Sequence, residues 1–172
     1  DENDTTKAWN MILLSWVVEG ARADSALAIA KQAYEFSKNK QLKFMEVYAL
    51  ISIGYHQKSM GDYAGSLKTL FLAQEILDYS YNENSNSIPN PGGSVLEWEG
   101  LHLYAEIQRN IGHLLGDVGN RAEQMIKLRI ALKIHEALKE ERLIANTTFN
   151  IAEVYLATNQ LDSATIFAEK SL

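Results

Sequence analysis

Apolar residues recur at helical spacing along most of this chain. Between Asp24 and Lys38, Ala26, Ile29, Ala30, Ala33, Tyr34 and Phe36 follow steps of three and four residues. That is the period of an α-helix buried along one face. Asp24 and Ser25 open the stripe with side-chain oxygens suited to the unpaired amides of a first turn. Extended along the chain, the pattern predicts helix pairs at 4–19 and 24–39, 43–60 and 63–80, 96–117 and 121–139, and 141–158 and 161–172. The second and third pairs are separated by an insertion at 81–95, which holds both prolines and a Gly-Gly pair and reads as a loop by composition. The predicted fold class is all-α.

The helix pairs repeat one another. Ala23-Asp-Ser-Ala-Leu-Ala-Ile-Ala30 returns as Leu161-Asp-Ser-Ala-Thr-Ile-Phe-Ala168. Taking Leu14, Gly54, Gly112 and Ala152 as equivalent anchors in the first helix of each pair gives steps of 40, 58 and 40 residues. The longer middle step is accounted for by the insertion. Internal repetition of this kind is the signature of a stacked-repeat architecture.

Gly54 with Gly61-Asp62, Gly112 with Gly119-Asn120, and Ala152 with Tyr155, Ala164 and Ala168 resemble the tetratricopeptide repeat (TPR). In that family a small residue of helix A faces a small residue of helix B across a Gly-Asp or Gly-Asn turn. The first unit departs from the pattern, with Leu14 at the anchor and Ala21-Arg22 at the turn. The resemblance covers nearly the whole chain. It implies a right-handed superhelical solenoid of about four antiparallel helix pairs (4–39, 43–80, 96–139 and 141–172), forming a single domain over 1–172.

Composition narrows the chemistry. Sixteen basic against 22 acidic residues leave a net charge of −6, the wrong sign for coating a phosphate backbone, so no nucleic-acid partner is expected. The chain has no cysteine, which removes disulfides, thiolate zinc sites and thiol nucleophiles. Met11–Val18 is the longest apolar run, well short of the ~20 residues of a membrane helix, so no direct membrane insertion is expected. The acidic, polar start lacks the basic region of a signal peptide. Phosphate-loop, dinucleotide and nucleophile-elbow motifs are all missing. His135-Glu136 begins like a helical zinc motif, but Lys139 stands where the second histidine belongs. His102 with Glu106, and His113 with Asp117, share helix faces without a third ligand. The reading is therefore no enzyme, no metal and no cofactor.

The resemblance implies a concave groove lined by the A helices, at positions six before, three before and one after each anchor. In this chain those positions are Tyr48, Ile51 and Tyr55 in the second unit. They are Glu106, Arg109 and His113 in the third, and Asn146, Phe149 and Glu153 in the fourth. This mixed surface of aromatic, amide and charged groups suits an extended peptide or a protein helix. Some TPR proteins grip a terminal carboxylate with a Lys-Asn-Asn-Lys-Arg set. Asn110 and Asn150 match its asparagines, but Ile51, Tyr55, Glu106 and Asn146 do not supply the rest.

At a finer level, Asp4-Thr-Thr-Lys-Ala-Trp-Asn10 leading to Asp24–Lys31, and Ala131–Leu138 followed by Asn150–Tyr155, resemble the N-terminal sensory regions of bacterial TPR-containing sensor histidine kinases. This implies a protein- or peptide-binding module of a two-component system, with the kinase elsewhere in the protein. It also implies a periplasmic or extracytoplasmic position on a membrane-anchored chain, the alternative being cytoplasmic. The competing functional reading is a structural scaffold that forms a homodimer through its terminal repeats.

Overall fold

A computed structural model describes residues 2–20, 22–77 and 95–171. Eight helices and no strand occur among them: α1 (Glu2–Glu19), α2 (Ala23–Asn39), α3 (Lys43–Ser59), α4 (Tyr63–Leu77), α5 (Val95–Asp117), α6 (Arg121–Leu138), α7 (Glu141–Ala157) and α8 (Leu161–Lys170). Each packs on the next within two compact units, residues 1–79 with α1–α4 and residues 80–172 with α5–α8. The architecture is all-α, with four helix pairs in repeat order. All but the last residue of the insertion expected at 81–95 lies outside the described residues; Val95 itself opens α5.

Left-handed backbone marks the turns. Gln41 and Gly61 in the first unit, and Gly119, Lys139 and Asn159 in the second, have φ between 56° and 83°. Within each unit they stand 20 residues apart, so the 40-residue repeat is built from two equal helix-and-turn halves. Glycine serves Gly61 and Gly119 because that conformation crowds a Cβ. The turns then re-enter helix through local caps: Asp62 Oδ1 accepts from the Gly65 amide at 2.9 Å, and Asn120 Oδ1 from the Glu123 amide at 3.3 Å.

At Gly54 a small residue of helix B does approach, Ser66 Oγ donating to Gly54 O at 2.7 Å, and a leucine packs beside it. A Cβ on Gly54 would lie 3.0 Å from Leu70 Cγ, and one on Gly112 would lie 3.2 Å from Leu128. The glycine is a notch into which a leucine of helix B inserts. Leu70 and Leu128 are almost fully buried as a result. In the first pair the sizes are reversed: Leu14 is half exposed and Ala30, at the register of Leu70, is fully buried. Around these contacts Ile12, Ala33 and Ala49 form one core with Met11, Tyr34, Met45 and Tyr48. Leu128, Ile151 and Val154 form another with Met125, Leu132, Tyr155 and Phe167.

Candidate functional site

In the first unit the expected groove residues belong to an aromatic wall between α1 and α3. Tyr48 meets Trp9 edge-on at 5.2 Å between centroids, and Tyr55 meets Trp16 at 4.5 Å. Lys58 Nζ lies 5.9 Å from the Tyr55 ring centre. Ile51 is 6% exposed and packs in the interior, so it offers no surface to a ligand.

Beneath the Trp16 and Tyr55 rings lies a polar network that sequence reasoning missed. Ser15 Oγ is 2.8 Å from Ser52 Oγ and 3.2 Å from His56 Nε2; Glu19 Oε1 stands 3.7 Å from His56 Nδ1 and accepts from Ser59 Oγ at 2.9 Å. Serine, histidine and carboxylate therefore stand in the order of a hydrolase triad. The surroundings prevent that chemistry. Ser15 and His56 are completely buried, and Ser15 donates its proton to Ile12 O at 2.7 Å. No scissile carbonyl reaches the hydroxyl. Burial lowers the His56 pKa, and the opposing charge and contact of Glu19 do not cancel the effect, so the ring is neutral at pH 7. The network is a hydrogen-bonded staple between α1 and α3.

The second unit gathers the expected residues more closely. On α5, Glu106, Arg109 and His113 share one face at spacings of three and four. Arg109 grips Glu106 with two nitrogens, Nε to Oε1 at 3.0 Å and NH2 to Oε2 at 2.7 Å. His135 of α6 approaches the same carboxylate, Nε2 to Oε1 at 3.6 Å, while its Nδ1 lies 3.1 Å from Thr147 Oγ1 on α7. Asn150 Nδ2 donates to His113 Nε2 at 3.0 Å, and Arg109 NH1 lies 3.5 Å from the same nitrogen. Two donors thus converge on Nε2 and make it an acceptor. The His113–Asn150 bond sets the α5 face beside the outer face of α7, where Asn146, Phe149 and Glu153 are all exposed. Asn110, the other asparagine of the clamp comparison, bonds its own helix, Nδ2 to Glu106 O at 2.8 Å.

Of the histidine–carboxylate pairs seen along the sequence, His102 and Glu106 each engage other residues. His102 Nδ1 turns to Glu140 Oε1 at 2.8 Å, its ring stacked on Trp98 at 5.3 Å; Glu106 is taken by Arg109 and His135. No group of three His, Asp or Glu arranged to hold a metal occurs among the described residues. Among the same residues no helix is long and apolar enough to cross a membrane.

Burial opposes the Glu106 charge, but the His135 contact and the Arg109 pair outweigh it and hold the carboxyl well below its ordinary value of 4.5. Burial likewise opposes the His102 cation, yet Glu140, with Glu106 and Glu99 behind it, raises that pKa above 6.5. A depressed carboxylate stabilises the fold above its unfolded pKa and loses that contribution as pH falls; a raised histidine stabilises below its unfolded pKa and loses it as pH rises through the folded value. The two contributions are therefore both full between pH 4.5 and 6.5. Urea midpoints are expected to fall from pH 4.5 downward, and Glu106→Gln to flatten that acid limb. An acid limb of unchanged slope in the variant would contradict the assignment.

No protein family matches this chain, and neither does any curated protein.

Proposed function

We propose that this chain is a non-enzymatic, TPR-like module that binds a protein or extended peptide. The reading is that it forms the sensory part of a bacterial signal-transduction protein of the sensor histidine kinase type. The observation that carries the binding surface is the pair of adjoining stripes on α5 and α7. A hydrogen-bonded row, Glu106, Arg109 and His113, runs beside an open row, Asn146, Phe149 and Glu153. Phe149 is 51% exposed. An exposed aromatic flanked by an amide and a carboxylate is the kind of anchor that a peptide side chain packs against, while its backbone bonds to the polar groups. The TPR assignment is supported by the 40-residue period and by the glycine notches at Gly54 and Gly112. The kinase connection, and an extracytoplasmic position, rest on the sequence resemblance of the opening and of the third and fourth units.

Arg109 is unsuited to a binding test, because its loss strands Glu106. Phe149→Ala combined with Glu153→Arg alters only exposed positions and leaves the staples intact. Peptides selected by display against the wild-type chain are expected to weaken at least ~10-fold on this variant, about 1.4 kcal/mol, with unchanged helical circular dichroism. If peptides from that selection bind both proteins equally, the α5–α7 surface is not the site.

A further inference from the structure

One exposed face of α1 is apolar, with Trp9 and Trp16 on the edge where they also touch Tyr48 and Tyr55 of α3. Trp9, Leu13, Trp16 and Val17 are 38%, 42%, 37% and 79% exposed, with Asn10 beside them, and no charged residue interrupts the stripe. Forty residues further on, the same register of α3 is Ala49, Leu50, Ile53, His56 and Gln57. There the first four positions are buried, in a helix packed against α1 and α2. The stripe on α1 thus stands at the register that is buried in α3, and here it is exposed.

We propose that this face pairs with α1 of a second copy of the chain, antiparallel about a two-fold axis at Leu13. The stripe is self-complementary under that operation. Its two tryptophans lie four residues before and three after Leu13, so Trp9 of each copy falls beside Trp16 of the other. Asn10 and Val17 lie three before and four after, and pair on the opposite flank. A symmetric contact needs one patch that fits itself, which this pattern supplies. The surface is a convex ridge on a single helix rather than a cleft, so another helix fits it better than an extended strand.

Area and charge agree with that occupant. The exposed apolar side chains of the stripe present on the order of 400 Å², below the ~800 Å² per partner of a standard interface, so the contact is a small, reversible one. Each copy carries a net charge of −6, so an uncharged stripe is where two copies meet with least repulsion. A bilayer is the less suitable occupant: helices that lie on membranes carry basic polar faces, whereas α1 has Lys7 against Glu2, Asp4 and Glu19. The proposal uses no residue of the α5–α7 surface and stands or falls separately from it.

The chain has no cysteine of its own, so an introduced thiol is unique. Leu13→Cys, on the axis, is expected to give a disulfide-linked dimer under mild oxidation, whereas Lys31→Cys on the exposed side of α2 is not. Sedimentation of the unmodified chain at ~100 μM, a concentration suited to an interface this small, is expected to show dimer. Leu13→Asp with Val17→Glu is expected to give monomer of unchanged helicity. A wild-type chain that stays monomeric overturns the proposal; if it also floats with phosphatidylglycerol vesicles, α1 faces a bilayer instead. A dimer that survives the double substitution overturns it equally.

Discussion

Arg109→Ala is expected to destabilise the second unit by about 2–4 kcal/mol, a large fraction of the stability of a small domain. The reason is the partner left behind. Glu106 is largely covered, with 15% of its side chain accessible, and Arg109 supplies two of its close contacts. Removing the guanidinium leaves a carboxylate without its main counter-charge in a place where water does not replace it. The 24% exposure of the arginine side chain keeps the cost below that of a fully buried pair. Hydrogen exchange along α5, α6 and α7 localises the effect, which is expected to leave α1–α4 unchanged. Glu106→Gln with Arg109→Met, which removes both charges, is expected to be less destabilising than Arg109→Ala alone. If the double variant is the weaker one, the arginine contributes by packing rather than by balancing charge.

Leu128→Ala is expected to cost about 3 kcal/mol, within the ~2–5 kcal/mol of buried leucine truncations. Leu128 is completely buried, packs with Ile151 and Val154, and fills the notch at Gly112. The notch makes a second measurement informative. Gly112→Ala alone places a methyl 3.2 Å from the leucine, so the helix-propensity gain of ~1 kcal/mol is offset by crowding. In the Leu128→Ala background the crowding is gone, and the same substitution is expected to recover about 1 kcal/mol. Urea unfolding of the four proteins gives the coupling directly. Equal effects of Gly112→Ala in both backgrounds would mean that glycine and leucine do not share the notch.

Helix order was legible in the sequence because it is a local property. The stripe from Asp24 to Lys38 and the turns at Gly61-Asp62 and Gly119-Asn120 depend on residues within a turn or two of each other. The observed ends fall within a few residues of those predicted. Repetition was legible for the same reason, since each copy repeats the local pattern. The 20-residue half-period was hidden, because Gln41, Lys139 and Asn159 take the left-handed conformation without being glycine. Ser15, Glu19, Ser52, His56 and Ser59 were missed as a set because they are separated in sequence and carry no shared motif. Only the parallel, side-by-side approach of α1 and α3 brings them together.

Groove positions show the same division. The resemblance to a repeat pattern put Glu106, Arg109 and His113 on one face of α5 and Asn146, Phe149 and Glu153 on one face of α7. It could not say that Ile51, in an equivalent register, turns inward, or that Arg109 is committed to Glu106. By itself the sequence determined an all-helical chain of four pairs, its period, and the residue types at each anchor, since periodicity and turn chemistry act over a few residues. Tertiary structure alone decided which of those residues are staples and which are surface. Burial depends on neighbours that are distant in sequence, as His56 is from Ser15 and His135 from Glu106, and no local pattern encodes their approach.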